Sequence, residues 1–126
     1  MRPTTLAEVA ALTSNGDSFD ICLANFLDDF YASPSAAALA PTPVLLAPQF
    51  ADLGHVQDAY LAAVAEDLAQ RFDLRLPDWT FGEERVLHHP WFASTLASLR
   101  AVLIHESPPA FRSRNLFVSE NALSRA

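Results

Sequence analysis

The sequence predicts an all-α fold, a single compact domain over residues 1–126 with about five helices and an irregular loop carrying Pro and Trp at residues 73–93. Three observations point there. Apolar residues recur at three- and four-residue steps over most of the chain. No pair of alternating apolar runs flanks a hairpin turn. Half of the residues are apolar (51%) and 18% are charged, so 126 residues suffice to bury a real core without disulfide or metal staples.

The first helix is announced by Thr5 as N-cap with Glu8 three residues later, the spacing of a capping box, and it should end near Gly16. Ser18 starts a second, in which Phe19, Cys22, Leu23, Phe26, Leu27, Phe30 and Tyr31 form a strongly apolar face until Pro34 closes it. Residues 32–48 hold four prolines and no charge, with too much alanine and leucine for a solvated linker, and read as an ordered crossing segment. The longest helix starts between Pro48 and Gly54 and runs to about Phe72, with Val56, Tyr60, Ala63, Val64, Leu68 and Phe72 along one side. "DLRLPDWTFGEERVLHHP" then reads as a long irregular loop. Ser94 caps a helix carrying Leu96, Leu99, Val102 and Leu103 on one face, and the proline pair after Ser107 stops it and opens a short helix at "PAFRSRNLF". For the tail two readings stand: "NLFVS" suits an extended stretch, "SENALSRA" another helical turn.

Composition narrows the function classes more than it chooses among them. The net charge of −7 opposes general binding to polyanions, so nucleic acid is not an expected direct partner. The charge is uneven: residues 1–70 carry nine acids against one arginine, residues 71–126 six acids against seven arginines. All eight basic residues are arginine, which with the abundant alanine suits a GC-rich bacterial genome. The single cysteine excludes an internal disulfide and fits a reducing compartment. No stretch is apolar enough to span a bilayer, and the first residues lack the apolar region of a signal peptide, so a cytoplasmic protein without a membrane role is expected.

No motif carries chemistry outright. His88 and His89 are adjacent, and neither they nor His55 and His105 show the spacing of a zinc site, so no metal is assigned. Asp28–Asp29 and Glu83–Glu84 read as solvated helix faces rather than as carboxylates converging across a cleft. There is no nucleophile elbow, and three glycines cannot build a phosphate-cradling loop, so neither a catalytic set nor a cofactor is expected. Cys22 reads as core filling. Trp79, Phe81, Trp91 and Phe92 suit core or helix-docking roles, with a partner surface as the alternative.

The binding candidates are therefore Arg112, Arg114 and Asn115, the tryptophans Trp79 and Trp91, and His89. Two arginines two residues apart share a face when extended and diverge on a helix. They either grip an anion at the helix start after Pro108 and Pro109 or pair with acids of the first half, the second being favoured because the acids outnumber them.

Pro77, Trp79, Pro90, Trp91, Phe92, Leu99, Arg100, the run 106–115 ("ESPPAFRSRN") and the run 121–125 ("NALSR") resemble the motifs of a small bacterial family common in GC-rich genomes. The resemblance spans nearly the whole chain and is densest after Pro77. It implies an association with nucleotidyltransferase-like proteins in the manner of toxin and antitoxin pairs, and brings no catalytic residues. The expectation is thus a non-enzymatic, acidic, protein-binding module, antitoxin-like, whose partner is a toxin or nucleotidyltransferase; a second copy of the chain is also compatible as partner. The alternative is a helical RNA-processing or nucleotide-handling enzyme using Arg112, Arg114 and a histidine.

Overall fold

The computed structural model describes residues 2–94 and 96–125. It is 59% helical with 3% strand, so the all-α expectation holds. Among the described residues the helices are α1 (Leu6–Ser14), α2 (Phe19–Ala32), α3 (Ala47–Arg71), α4 (Arg100–Glu106) and α5 (Pro109–Arg112). Two short strands, β1 (Trp91–Phe92) and β2 (Leu116–Phe117), pair in parallel with Trp91 opposite Leu116.

Local chemistry sets the first two helices. Thr5 accepts the Glu8 N–H at 3.1 Å, and the Glu8 carboxylate reaches back to the Thr4 N–H at 3.0 Å and the Thr4 hydroxyl at 2.7 Å. That reciprocal capping holds the Glu8 carboxyl below its ordinary pKa. Gly16, at φ 108°, ends α1: its N–H bonds the Thr13 carbonyl and the Asp17 N–H the Leu12 carbonyl, both at 3.0 Å. Ser18 caps α2 through the Ile21 N–H, and α2 stops at Ala32 ahead of Pro34.

Helix α3 is the spine, packed by α1, α5 and two 3₁₀ turns at Asp78–Phe81 and Glu83–Arg85. The sequence gives it one apolar stripe; Leu61, Ala62, Ala63, Val64 and Ala65 are instead all fully buried, so the helix is wrapped all round. Its alanines let neighbours come close. Its first turn is also separate from the rest: Ala51 has φ 54° and ψ −126°, a kink between residues 47–50 and the main helix. Gly54 permits that fold-back, because a Cβ there would strike the Leu46 carbonyl. Gly54→Ala should cost about 1–3 kcal/mol by overpacking, read as a lower urea midpoint.

Leu6, Val9, Phe26, Phe30, Leu68, Phe111, Leu116, Val118 and Leu123 share one core cluster, so the tail belongs to the same core as the first helix. Tyr31 donates to the Leu123 carbonyl at 2.7 Å and Arg125 bonds Asp28 at 2.9 Å, which fastens the last residues on α2. "NLFVS" is extended at β2, and of "SENALSRA" the described residues 119–125 form a turn rather than a helix.

Residues 94 and 96–99 depart from the expectation. The Ser94 hydroxyl accepts the Leu96 N–H two residues on, a local turn rather than a helix cap, and a 3₁₀ turn at Ala97–Leu99 precedes α4. Of the apolar face expected there, Leu103 alone is buried; Leu96 is 60% exposed, Val102 45% and Leu99 40%. Phe81 also lies outside, at 69% exposure, in contrast to the core role expected for it.

Candidate functional site

The crossing segment and the irregular loop meet at a buried charge. Asp58, fully buried on α3, accepts the N–H groups of Leu46 (2.7 Å) and Ala47 (3.1 Å), capping the first turn of its own helix across the kink. Arg85 comes from the loop with 1% exposure. Its guanidinium lies 3.9 Å from the Asp58 carboxylate, donates to the carbonyls of Asp58 (3.3 Å) and Pro43 (2.7 Å), and sits 4.9 Å from the centre of the Trp79 ring. Trp79 in turn donates its indole N–H to the Leu39 carbonyl at 2.9 Å. Burial draws the Arg85 pKa down, and Asp58 and then Glu84 pull it back up. Trp79 therefore serves here as the lid on an internal ion pair.

Arg114 makes a second clasp. It is 5% exposed and donates to Glu66 on α3 (2.6 Å), to the Ala110 carbonyl on α5 (2.8 Å) and to the Thr80 carbonyl in the loop (3.1 Å). Arg112 takes part in none of these bonds and is exposed. Because α5 is helical through Arg112, the two arginines diverge. Asn115 follows in the left-handed region at φ 63°, a conformation asparagine tolerates. Its side-chain amide donates to the Leu87 carbonyl at 2.6 Å, and its backbone carbonyl accepts the Trp91 N–H at 2.8 Å. Asn115 thereby sets the register of β1 on β2. Ser107, 3% exposed in "ESPP", accepts the Val118 N–H at 2.8 Å and lies 2.6 Å from the Leu103 carbonyl, tying α4 to the end of β2.

His89 is exposed, as is His88, whose ring meets that of His55 at 6.3 Å. Among the described residues no group of three histidine, cysteine or acidic side chains could hold a metal ion. Cys22 is buried, and burial pushes its thiol pKa up, which disfavours the reactive thiolate. Among the described residues no helix is long and apolar enough to cross a membrane.

Two surface features remain once these clasps are set aside. One is the exposed start of α4, where Leu99, its N-cap, and Val102 lie one turn apart with Leu96 three residues earlier. Ile104, 47% exposed, flanks Leu103 on its other side, next to Arg100, which sits 5.1 Å from the centre of the Phe92 ring. The other is a cleft of about 620 Å³ between α2, α3, β1 and the tail, lined by Phe19, Leu23, Val56, Tyr60 and Trp91 with Asp20, Gln57 and Arg125 as its larger polar groups. Of the six residues singled out in the sequence, Trp91 alone lines this cleft; Asn115 reaches it by accepting the Trp91 N–H, while Trp79, Arg112, Arg114 and His89 are not in its lining. Reasoning from sequence missed Asp58, Arg85 and Gln57, which carry no motif. Only Asp58 has a signal, a weak one: a charged residue inside an otherwise apolar helical run.

Compared with protein-family models, with curated proteins and with solved structures, the chain matches none.

Proposed function

We propose that the protein is a cytoplasmic, non-enzymatic module that binds another protein, with the apolar flank of α4 as its contact surface. The observation that carries this reading is the exposure of Leu96, Leu99 and Val102, three apolar residues at three-residue steps around the start of α4. Contiguous exposed apolar residues mark places where a partner removes water, and burying them supplies the driving force. The partner we infer is the toxin or nucleotidyltransferase-like member of a pair, for which the acidic first half suits a basic surface. Asp17, Asp20 and Asp52 are exposed, so they add long-range attraction and raise the association rate. The enzyme alternative is left with Arg112, because the Arg114 guanidinium is already engaged with Glu66, Ala110 and Thr80.

Co-expression with the product of the neighbouring gene, followed by affinity capture, tests the reading. The wild type should retain the partner and relieve its toxicity. Leu99→Asp with Val102→Asp should weaken capture at least about tenfold, because truncating a central apolar contact costs more than about 1 kcal/mol. Both residues are exposed, so the melting temperature should stay within a few degrees of wild type. No complex and no relief of toxicity would sink the antitoxin reading.

A further inference from the structure

The cleft between α2, α3 and the tail is chemically biased. Its walls are aromatic, with Phe19 edge-on to Tyr60 at 6.2 Å and 87° and with Trp91 from β1. Its charge is not balanced. Arg125 lines it but bonds Asp28 at 2.9 and 3.4 Å, and Arg2 lies 3.9 and 3.8 Å from Asp28 and Asp29, so two arginines and two aspartates cancel. Asp20 remains, exposed and outside that cluster. Its field reaches the cavity: burial first, and the Asp20 carboxylate second, push the Tyr60 phenol up to about 12. Gln57, also on the lining, is 9% exposed, and its Oε1 has no hydrogen-bond partner. An unsatisfied buried carbonyl carries a standing cost that a donor relieves, and a side-chain rotamer change on binding is an ordinary event.

We propose that this cleft binds an organic cation: a primary ammonium on an apolar stem, the charge drawn to Asp20 and to the Gln57 amide oxygen, the stem packed on Phe19, Tyr60 and Trp91. A carboxylate and an amide oxygen accept hydrogen bonds and aromatic faces attract cations, while an anion drawn to the first turn of α2 at Ser18 would meet the Asp20 carboxylate that already sits in that turn. Such a group has two sources, a free amine or a lysine side chain of a protein. The proposal does not rest on the α4 surface, with which the cleft shares no described lining residue.

Titration of the full-length protein, followed by calorimetry and by the indole NMR signal of Trp91, decides it. Phenethylammonium serves as the free amine and Nα-acetyl-lysine N-methylamide as the side chain, with 2-phenylethanol and 3-phenylpropanoate as the neutral and anionic counterparts. Saturable binding is expected for at least one cation, about tenfold tighter than for either counterpart, and the tighter of the two cations identifies the source. Asp20→Asn should weaken it about three- to tenfold, and Gln57→Leu should weaken it as well. Raising the salt concentration on the wild type should have the same sense as Asp20→Asn, which keeps the test independent of how any variant folds. Equal binding of the alcohol, indifference to both Asp20→Asn and salt, or no saturable binding of either cation overturns the proposal.

Discussion

Replacing Asp58 with alanine should lower the free energy of unfolding by about 3–5 kcal/mol, a large share of the 5–15 kcal/mol typical of a domain this size. The carboxylate does two things at once. It satisfies the N–H groups of Leu46 and Ala47, which no other side chain caps, and it faces the guanidinium of Arg85, which has 1% exposure. Without it Arg85 keeps the Asp58 and Pro43 carbonyls and the Trp79 ring, yet carries a buried charge with no counter-charge at its side. Asp58→Asn keeps an acceptor for one N–H and should cost less. Arg85→Met should also cost less than Asp58→Ala, because the carboxylate it leaves behind still receives two backbone N–H groups. The double variant should then fall short of the sum of its parts, by about 0.5–3 kcal/mol of coupling. Urea titration followed by circular dichroism gives all four values. An Asp58→Ala protein within 1 kcal/mol of wild type, on the scale of a surface change, would show that the pair is not what holds the crossing segment.

How much of this was readable in advance follows from the range of each interaction. Thr5 with Glu8, Gly16, Ser18 and Pro34 act over a few residues, and each marks a helix end in the sequence as it does in the fold. The contacts that organise the second half act over long separations. Arg85 reaches back 42 residues to Pro43, and Arg114 reaches back 48 to Glu66. In a string of residues these look like any surface charge, because what makes them different is the burial that only the assembled chain supplies. The same limit explains α4. Periodicity places Leu99, Val102 and Leu103 near one another on a helix, but does not say which of them another element will cover. Trp91 and Asn115 were legible as residues of consequence and not as a pair, because the parallel pairing of β1 and β2 brings together positions more than twenty residues apart. Gln57 gave no sign at all: an amide on a helix is ordinary until both of its neighbours in space are known.

Arg112 and Arg114 should separate cleanly under substitution, although they differ by two positions. Arg114→Met removes three donors that join α3, α5 and the loop, and leaves the Glu66 carboxylate and the carbonyls of Ala110 and Thr80 without them. A loss of about 2–4 kcal/mol is expected, since hydrogen bonds to charged groups are each worth about 1.5–3 kcal/mol and the neutral carbonyls less. Arg114→Lys should recover little of it, because one ammonium cannot reach three acceptors disposed around a planar fork. Glu66→Gln keeps an oxygen for Arg114 and should fall between, as Glu66 is only partly buried. Arg112→Ala should change stability by no more than about 0.5 kcal/mol. The measurement is again the urea midpoint, run beside the capture assay. A stable Arg112→Ala protein that no longer holds its partner would give that exposed guanidinium a contact role, whereas a destabilised one would place it in the clasp beside Arg114. Equal losses from both substitutions would contradict the divergence that the helical turn of α5 imposes on the two side chains.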